Sequence, residues 1–207
     1  MYTNEEIRYK YMKYAKLIDQ YEKLPEQLFF RKRRQRLLQH ASGDVLEVAV
    51  GTGRNLSYYS QGCTITGLDY SPEMLNEAMQ KTDARHQPIR LIQGNAESLP
   101  FEPNAFDTVV STLATCTFPN PIQALKEMQR VCKPDGRILL FEHGRSRWPI
   151  LGRIQDNRAE RNADIVGCYW NRLPLKLVQA SGIQIQSVKS SYGDFLVEII
   201  GQPGRSV

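Results

Sequence analysis

Residues 45–55 read Val-Leu-Glu-Val-Ala-Val-Gly-Thr-Gly-Arg-Asn, a short apolar run that leads into a pair of glycines. A valine-rich run of this length is typical of a buried strand, and glycines directly after it allow a tight turn close to a ligand. In a doubly wound sheet such a turn lies at the carboxyl ends of the strands, where ligands bind. The stretch therefore predicts the first strand and the ligand-binding turn of an α/β domain.

Strand-like and helix-like segments alternate after this turn. Four further strands are predicted at residues 63–69, 89–93, 106–111 and 137–142. Ser71-Pro72-Glu73 opens a helix, with serine at the cap, proline at the first position and an acid in the first turn. A second helix is predicted from Pro121 to Cys132, and Pro134-Asp135-Gly136 is predicted to form a turn. Alternation of this kind is typical of a parallel sheet covered by helices on both faces.

The C-terminal part departs from this alternation. Residues 183–189 and 195–200 are two strand-like runs, and the link between them is too short to hold a crossover helix. Such a pair predicts an antiparallel hairpin. The predicted fold class is therefore α/β, doubly wound, with a seven-stranded mostly parallel sheet, a C-terminal antiparallel hairpin and helices on both faces.

Residues 1–40 are predicted to form a helical cap over the active site, separate from the ligand-binding domain of residues 41–207. Thr3 and Glu6 fit a capping box at the start of a helix that Pro25 ends or restarts. Apolar side chains then recur every three or four residues, at Ile7, Tyr11, Tyr14, Ile18 and Tyr21. A second helical segment, about residues 26–39, carries a strongly basic run.

The composition predicts an ordinary globular chain. Of its 207 residues 41% are hydrophobic and 24% charged, and no apolar run approaches the roughly 20 residues that span a bilayer. Its start is polar and acidic and lacks the pattern of a secretory signal, so we expect a cytoplasmic location. The net charge is +5, and the run Arg31-Lys32-Arg33-Arg34-Gln35-Arg36 could make peripheral contact with an anionic membrane or form a solvated helix face.

A carboxylate follows the glycine turn at a separation typical of nucleoside sites. Asp69 ends the second predicted strand, 16 residues after Gly53, where it could accept hydrogen bonds from a ribose diol or cap the next helix. The dinucleotide fingerprint needs a third glycine where this chain has Leu56, and the turn has no lysine for phosphates. The pattern therefore favours a nucleoside without phosphates.

Five stretches stand in a familiar order at residues 46–55, 67–75, 94–101, 106–110 and 127–137. In these stretches the chain resembles the class I S-adenosylmethionine-dependent methyltransferases. Within that class it looks most like the ubiquinone/menaquinone-type family and its thiol- and lipid-methyltransferase relatives. The resemblance covers about residues 44–142 and implies S-adenosylmethionine as the cofactor.

The resemblance also implies roles for particular positions. The cofactor-binding residues that it implies are Glu47, Ala49, Gly51, Gly53, Asn55, Asp69, Tyr70, Met74, Asn95, Ala96, Thr112 and Leu113. The residues of the first turn, from Glu47 to Gly53, would surround the methionine part of the cofactor. Asp69 would hold the ribose hydroxyls, and Tyr70 and Met74 would flank the adenine. Asn95 and Ala96 would contact the edge of the adenine, and Thr112 and Leu113 would lie near the sulfonium.

Two positions depart from the family pattern. The family usually has glycine where this chain has Ala49, and the extra methyl group narrows the space for the cofactor. The family usually has aspartate where this chain has Asn95, whose amide oxygen can still accept a hydrogen bond from the adenine amine. Both departures would change how tightly the cofactor binds rather than which cofactor binds.

His143 is the candidate general base, because it follows the fifth strand and has a reference pKa of about 6.5. The alternative is a structural histidine that hydrogen-bonds to the backbone. Cys116 and Cys168 are interpreted as buried packing residues, since methyl transfer needs no nucleophilic thiol. The four cysteines contain no C-x-x-C pair, so no metal site is predicted.

The predicted function is methyl transfer to a small-molecule or lipid-type acceptor. One alternative is a methyltransferase acting on RNA, but residues 111–114 read Ser-Thr-Leu-Ala rather than the Asn-Pro-Pro-Tyr type of tetrapeptide, and nucleic acid is not the expected partner. A second is a non-catalytic cofactor-binding relative, which Ala49 and Asn95 would favour. A third is an NAD-dependent oxidoreductase, which the missing third glycine and the predicted hairpin argue against.

Overall fold

A single seven-stranded sheet organises the chain, in a computed structural model that describes residues 2–82 and 89–204. The strands are β1 (Asp44–Val48), β2 (Thr64–Asp69), β3 (Ile89–Gln93), β4 (Phe106–Thr112), β5 (Cys132–His143), β6 (Gln184–Ser191) and β7 (Leu196–Gln202). Their order across the sheet is β3-β2-β1-β4-β5-β7-β6. The first five strands run parallel, and β7 pairs antiparallel with both β5 and β6. The predicted fold class, including the C-terminal hairpin, is confirmed.

Helices cover both faces of this sheet. They are α1 (Asn4–Met12), α2 (Ile18–Tyr21), α3 (Lys23–Pro25), α4 (Arg31–Leu38), α5 (Pro72–Thr82), α6 (Pro121–Val131), α7 (Pro149–Val166) and α8 (Pro174–Ser181), with a π-helical turn at Glu26–Phe30 between α3 and α4. The predicted cap of α5 is present, because the Met74 amide donates to Ser71 Oγ. None of the described helices is long and apolar enough to cross a membrane.

The core lies in two layers because neighbouring strand residues face opposite sides of the sheet. On one side Leu46, Val109 and Leu140 pack with residues of α6 and α8. On the other side their chain neighbours Val45, Val110 and Leu139 pack with α4 and α5, through residues that include Leu37, Leu38 and Leu75. A central sheet buried on both faces leaves the carboxyl edge of its parallel strands as the natural place for a ligand.

The N-terminal segment differs from the predicted pair of longer helices. Its capping box at Thr3 and Glu6 is present, but α1 ends at Met12, and residues 13–17 form turns before α2 begins. The five apolar residues predicted to share one helix face nevertheless all line the same cavity. Packing around that cavity thus overrides the local helix propensity of the intervening residues.

Strand β5 begins five residues earlier than predicted. Cys132 pairs with Phe106, but the next paired residue is Arg137, opposite Thr108, so residues 133–136 form an irregular bulge. The predicted Pro134-Asp135-Gly136 turn lies in this bulge. Gly136 is required there, because a Cβ atom would stand 2.8 Å from the Asp107 carbonyl oxygen.

Candidate active site

A cavity of about 700 Å³ lies at the carboxyl ends of the central strands, beneath the N-terminal helices. Most of the site residues predicted from the sequence line it, namely Glu47, Ala49, Gly51, Asn55, Asp69, Tyr70, Met74, Ala96, Thr112, Leu113 and His143. A cavity of this size suits a ligand of nucleoside size together with a second small molecule. The fold therefore brings together positions that are spread over about a hundred residues of sequence.

Two of the predicted residues do not line the cavity. Gly53 faces α5, where a Cβ atom would stand 2.8 Å from Leu56 Cδ1 and 3.2 Å from the Ala78 Cα atom. Asn95 instead closes a tight turn, because its Oδ1 accepts from the Glu97 amide at 2.9 Å. Gly53 thus allows close packing of the turn on α5, and in this conformation the Asn95 side chain is engaged within its own loop.

The turn after β1 has unusual backbone angles at two cavity-lining positions. Gly51 has φ +56°, and a Cβ atom there would meet nothing within 4 Å, so this position opens directly on the cavity. Ala49 has φ +58°, in the left-handed region that strongly favours glycine. The extra methyl group noted in the sequence therefore strains the backbone as well as narrowing the cavity.

We expect Ala49→Gly to raise the free energy of unfolding by about 0.5–1 kcal/mol. A non-glycine residue in the left-handed region costs about 1–2 kcal/mol, of which the greater freedom of glycine in the unfolded chain offsets part. Urea unfolding monitored by circular dichroism measures the change. The matched control is Ala124→Gly in the buried interior of α6, which should lower stability by at least about 1 kcal/mol. Loss of stability in both variants would contradict the strain at Ala49.

Asp69 supports the glycine turn from the end of β2. Its Oδ2 accepts from the Gly51 amide at 2.8 Å and its Oδ1 from the Ser71 amide at 2.9 Å. Each carboxylate oxygen has a further lone pair, and the side chain borders the cavity. Burial raises the pKa of Asp69, against the opposing effect of these backbone hydrogen bonds. The residue can accept from a ligand diol while it holds the turn in place.

Glu47 is the buried carboxylate of this site and is only 2% exposed. Its two oxygens accept from Asn55 Nδ2 at 2.8 Å and from the Tyr59 hydroxyl at 2.7 Å. Burial raises the pKa of Glu47 to about 7, although both hydrogen bonds favour the charged form. The group therefore changes charge near neutral pH, inside a cavity where a cationic ligand would favour its ionised form.

Arg34 joins the N-terminal cap to this network. Its guanidinium, in a residue that is 5% exposed, donates to Asn55 Oδ1 at 3.0 Å, to Thr112 Oγ1, and to Glu26 Oε2 at 3.2 Å. The basic run of α4 is thus neither a uniform solvated face nor a uniform membrane patch. Arg33 and Arg36 pair with Glu198, so Arg31 and Lys32 are the members that stay exposed.

A second ionic contact links the cap to the glycine turn. Arg54 pairs with Asp19 at 2.8 Å, with Glu22 at 3.2 Å and with Glu26 at 3.5 Å. Lys81 of α5 also pairs with Asp19. Three acids of the N-terminal helices therefore meet two bases, one in the turn after β1 and one on α5, which links these helices to the rim of the cavity.

Cys116, His143 and Cys168 meet at the other end of the cavity. Cys168 Sγ lies 3.4 Å from His143 Nε2, and the ligand atoms of all three residues lie within 4.8 Å of one another. Within the described chain, His143 Nδ1 is buried without a hydrogen-bond partner. The two cysteines, interpreted from the sequence as packing residues, are in fact neighbours of the candidate base.

This cluster has unusual electrostatics. Hydrogen bonds from Cys116 and His143 lower the pKa of the Cys168 thiol to about 5, despite the opposing effect of burial. Burial acts to lower the pKa of His143, but the Cys168 contact and the nearby Glu142 outweigh it and raise that pKa. The hydrogen bond to Cys168 raises the pKa of Cys116. A thiolate beside an imidazolium is the charge state that these shifts favour.

The sequence analysis missed Arg34 and the cysteine pair as site residues. Arg34 stands three and four residues before the buried Leu37 and Leu38, so helical periodicity places it on the inward face of α4. This periodicity could have identified Arg34, but the basic residues around it led to the whole run being interpreted as one exposed face. The contact between Cys116 and Cys168 had no signal, because 52 residues separate them in the chain.

Comparison with known proteins finds a family model that matches the middle of the chain. A sequence model for the family described as "Methyltransferase domain" matches residues 46–140. Its span begins in β1 and ends in β5, so it contains the glycine turn, Asp69 and the loop after β4. It excludes the N-terminal cap and Cys168.

Three curated relatives are methyltransferases by name. Methyltransferase OMS1, mitochondrial, from Saccharomyces cerevisiae is 36% identical over 76% of this chain and 37% of its own length. Phosphatidylethanolamine N-methyltransferase from Cereibacter sphaeroides is 37% identical over 58% of this chain and 61% of its own. Demethylmenaquinone methyltransferase from Staphylococcus epidermidis is 40% identical over 44% of this chain and 37% of its own. The chain thus spans less than two thirds of the length of each.

Solved structures share the fold. A SAM-dependent methyltransferase from Aquifex aeolicus superposes with a TM-score of 0.66 at 17% identity, over 97% of this chain and 98% of that one. Identity at this level speaks for the fold alone. The mostly parallel seven-stranded sheet with its terminal hairpin is accordingly that of the class I methyltransferase fold.

Proposed function

We propose that the chain transfers a methyl group from S-adenosylmethionine to a small-molecule or lipid-type acceptor, because a model of the methyltransferase domain family matches residues 46–140. The family and the fold imply an enzyme of the methyltransferase class with this cofactor. The observation that carries the proposal is one cavity lined both by the carboxylates of Glu47 and Asp69 and by apolar side chains of the N-terminal helices.

The residues present fit the cofactor. The open space at Gly51 would admit the methionine part close to the backbone. The free lone pairs of Asp69 suit a ribose diol, while Tyr70 and Met74 would flank the adenine with the Ala96 amide at its edge. Asn95 does not line the cavity, because its side chain accepts a hydrogen bond from the Glu97 amide. Its proposed contact with adenine would require this hydrogen bond to open.

Catalysis by this chain would rest on binding and orientation. When bound, S-adenosylmethionine supplies an electrophilic methyl group on a sulfonium. Thr112 and Leu113, at the end of β4, would set the position of that group. The cap would exclude water and hold the acceptor in line, and such positioning lowers the barrier without any nucleophile of the protein.

We expect S-adenosylmethionine to bind about tenfold more tightly at about pH 7.5 than at about pH 5.5, since one ionisation near pH 7 is linked to binding. Burial raises the pKa of Glu47 to about 7, and only its ionised form would attract the ligand's ammonium group. The charged groups around it are Arg34 on α4 and Asp69 on β2. Calorimetric titration across this range measures the effect.

Glu47→Gln is the control for this pH dependence, because it keeps the hydrogen-bonding shape and cannot ionise. Its affinity should be low and flat with pH. The same raised pKa means that the ligand-free protein loses stability as the pH rises from the unfolded value of 4.5 towards 7. Binding that strengthens equally with pH in Glu47→Gln would contradict the role of this carboxylate.

The acceptor end of the cavity is rich in aromatic and aliphatic side chains. They come from the cap, from the loop after α7 and from the start of β7, and include Ile7, Tyr11, Tyr14, Phe30, Trp170 and Phe195. Such a lining favours an apolar acceptor, as a quinone ring or a lipid would be. The names of two relatives, phosphatidylethanolamine N-methyltransferase and demethylmenaquinone methyltransferase, support the same class.

An exposed apolar rim supports contact with a lipid surface. Phe29 packs on Tyr192 with ring centroids 5.7 Å apart, and Gly193, the next residue, lies against Trp148. Trp148 is 52% exposed and Ile150 of α7 is 78% exposed. With the exposed charges of Arg31 and Lys32, this rim has the composition of an interfacial membrane contact. The proposed peripheral contact thus involves these two bases rather than the whole run 31–36.

His143 is the residue that we propose to act on the acceptor. We expect His143→Ala to lower turnover tenfold or more with little change in S-adenosylmethionine affinity, because His143 ends β5, three strands across the sheet from the end of β2 where Asp69 lies. Steady-state kinetics paired with calorimetry separates the two effects. Unchanged turnover in this variant would exclude a catalytic role for His143.

A transfer assay with labelled methyl donor tests the proposal as a whole. The acceptors to compare are quinols, phospholipids, small thiols and RNA. Incorporation into one of the small or lipid-type acceptors supports the proposal. Incorporation into RNA alone would establish the alternative function, and cofactor binding without transfer to any of them would favour a non-catalytic relative. The cytoplasmic location and the division at residue 40 stay predictions.

A further inference from the structure

The cluster of two thiols and one imidazole is built from three separate elements. Cys116 lies in the loop after β4, His143 ends β5, and Cys168 follows Gly167, whose φ of +71° turns the chain at the end of α7. Residues adjacent in space but distant in sequence need fixed backbones if they are to form a site. The contacts around the cluster provide that support.

Several hydrogen bonds hold the two cysteine loops side by side. The Tyr169 amide donates to the Cys116 carbonyl at 3.0 Å, and Asn162 Nδ2 donates to the Cys168 carbonyl at 2.6 Å. The Arg172 guanidinium donates to the carbonyls of Thr115 and Phe118, on both sides of Cys116. The thiols are therefore brought together by their backbones and not by chance side-chain rotamers.

We propose that Cys116, His143 and Cys168 bind a thiophilic divalent metal ion such as Zn²⁺, with a fourth coordination position that faces the cavity. Two thiolates and one imidazole are a donor set that Zn²⁺ favours, and three protein ligands with one open position are typical of catalytic zinc. Tetrahedral Zn²⁺ places such donors about 3.5–4 Å apart. The observed separations, all within 4.8 Å, need only small side-chain rotations to reach this.

The local charges suit a divalent cation. With both thiols ionised the two cysteines carry two negative charges. A bound divalent ion would therefore neutralise the cluster, whereas two unpaired thiolates in this buried place would be costly.

The other two cysteines show what purely structural thiols look like in this chain. Cys63 lies beside Ser60 and the Ala41 carbonyl, and Cys132 lies against the Arg137 carbonyl. Neither lines the cavity, and neither belongs to a group of potential metal ligands in the described part of the chain. They are matched controls, since all four cysteines are buried and free.

This proposal replaces the expectation, drawn from cysteine spacing, that the chain has no metal site. The interpretation of His143 changes as well. It would hold the metal ion beside the acceptor, rather than act on the acceptor itself as a free base. The metal site itself does not depend on methyl transfer, so it can be tested on the full-length chain by binding alone.

Cobalt(II) is the probe, because its thiolate complexes absorb in the near ultraviolet and its tetrahedral complexes absorb strongly in the visible. The full chain is purified with reductant, treated with a chelator and titrated with cobalt(II). We expect one cobalt ion per chain, both absorption bands, and displacement by equimolar Zn²⁺. Cys116→Ser and Cys168→Ser should weaken binding at least tenfold, while Cys63→Ser and Cys132→Ser should leave it unchanged.

Two results would overturn the proposal. One is the absence of saturable cobalt binding at micromolar concentration by the reduced chain. The other is unchanged binding in a folded Cys168→Ser variant. Circular dichroism checks the fold of each variant, and His143→Ala provides the same test if a serine variant fails to fold. Because binding is measured without S-adenosylmethionine, failure here would leave the proposed methyl transfer standing, and failure of methyl transfer would leave the metal site standing.

Discussion

Replacing Asp69 by alanine is expected to weaken S-adenosylmethionine binding at least about a hundredfold. The carboxylate would accept two hydrogen bonds from the ribose diol, and hydrogen bonds to a charged group contribute about 1.5–3 kcal/mol each. The substitution also frees the Gly51 and Ser71 amides, which Asp69 holds at 2.8 and 2.9 Å. The glycine turn would then lose its support as well as its ligand contact. Isothermal titration calorimetry measures the change in affinity.

Asp107 provides a matched control for this variant. It too accepts a hydrogen bond from a backbone amide, that of Asp44 at 2.9 Å, and it pairs with Lys133 at 2.6 Å. It lies near the start of β4, however, at the opposite edge of the sheet from the cavity. Asp107→Ala should therefore leave cofactor affinity unchanged. An equal loss of cofactor affinity in both variants would point to general destabilisation. Full affinity in Asp69→Ala would show that Asp69 does not bind the ribose.

Replacing Arg34 by methionine is expected to lower the free energy of unfolding by about 2–4 kcal/mol, because a buried polar group that loses its hydrogen-bond partner costs about 1–3 kcal/mol. Glu26 would keep only its 3.5 Å contact with Arg54, and its Oε1 already has no hydrogen-bond partner in the described chain. Asn55 and Thr112 would each lose a hydrogen bond as well. Chemical denaturation measures the loss.

Arg31→Met, three residues earlier in the same helix, is the matched control. Its side chain is exposed, and surface substitutions usually change stability by less than about 0.5 kcal/mol. The double variant Glu26→Gln with Arg34→Met should lose less free energy of unfolding than the sum of the two single variants, because both charges of the pair are then removed together. Similar losses in Arg31→Met and Arg34→Met would mean that the whole basic run acts as one surface.

The part of the molecule that would bind the methyl donor could be predicted from the sequence because its signals are local. A glycine turn follows a short valine-rich strand, Asp69 ends the next strand, and each needs only its own neighbours to be recognised. The parallel arrangement of the first five strands then follows from the alternation of elements, and the hairpin follows from a link too short for a crossover. The confirmed fold class reflects these local signals.

The cap and the acceptor end could not be predicted in the same way. α1 ends at Met12 although residues 13–17 contain neither glycine nor proline, and Tyr11, Tyr14 and Tyr21 all line the cavity. Asn95 satisfies its own turn, a choice that depends on the conformation of residues 95–98. The meeting of Cys116 with Cys168 is decided by how the loop after α7 packs beside the loop after β4, where the Tyr169 amide donates to the Cys116 carbonyl. These features depend on tertiary packing, which residue spacing does not report.

Calorimetric titration of the unmodified chain with S-adenosylmethionine tests the proposed cofactor site. We expect saturable binding of one molecule per chain, with a dissociation constant of about 1–100 µM, or −8 to −5.5 kcal/mol. We also expect competition by the demethylated product and loss of binding in Asp69→Ala. Absence of binding at millimolar concentration, by a chain that circular dichroism shows to be folded, would rule out this site.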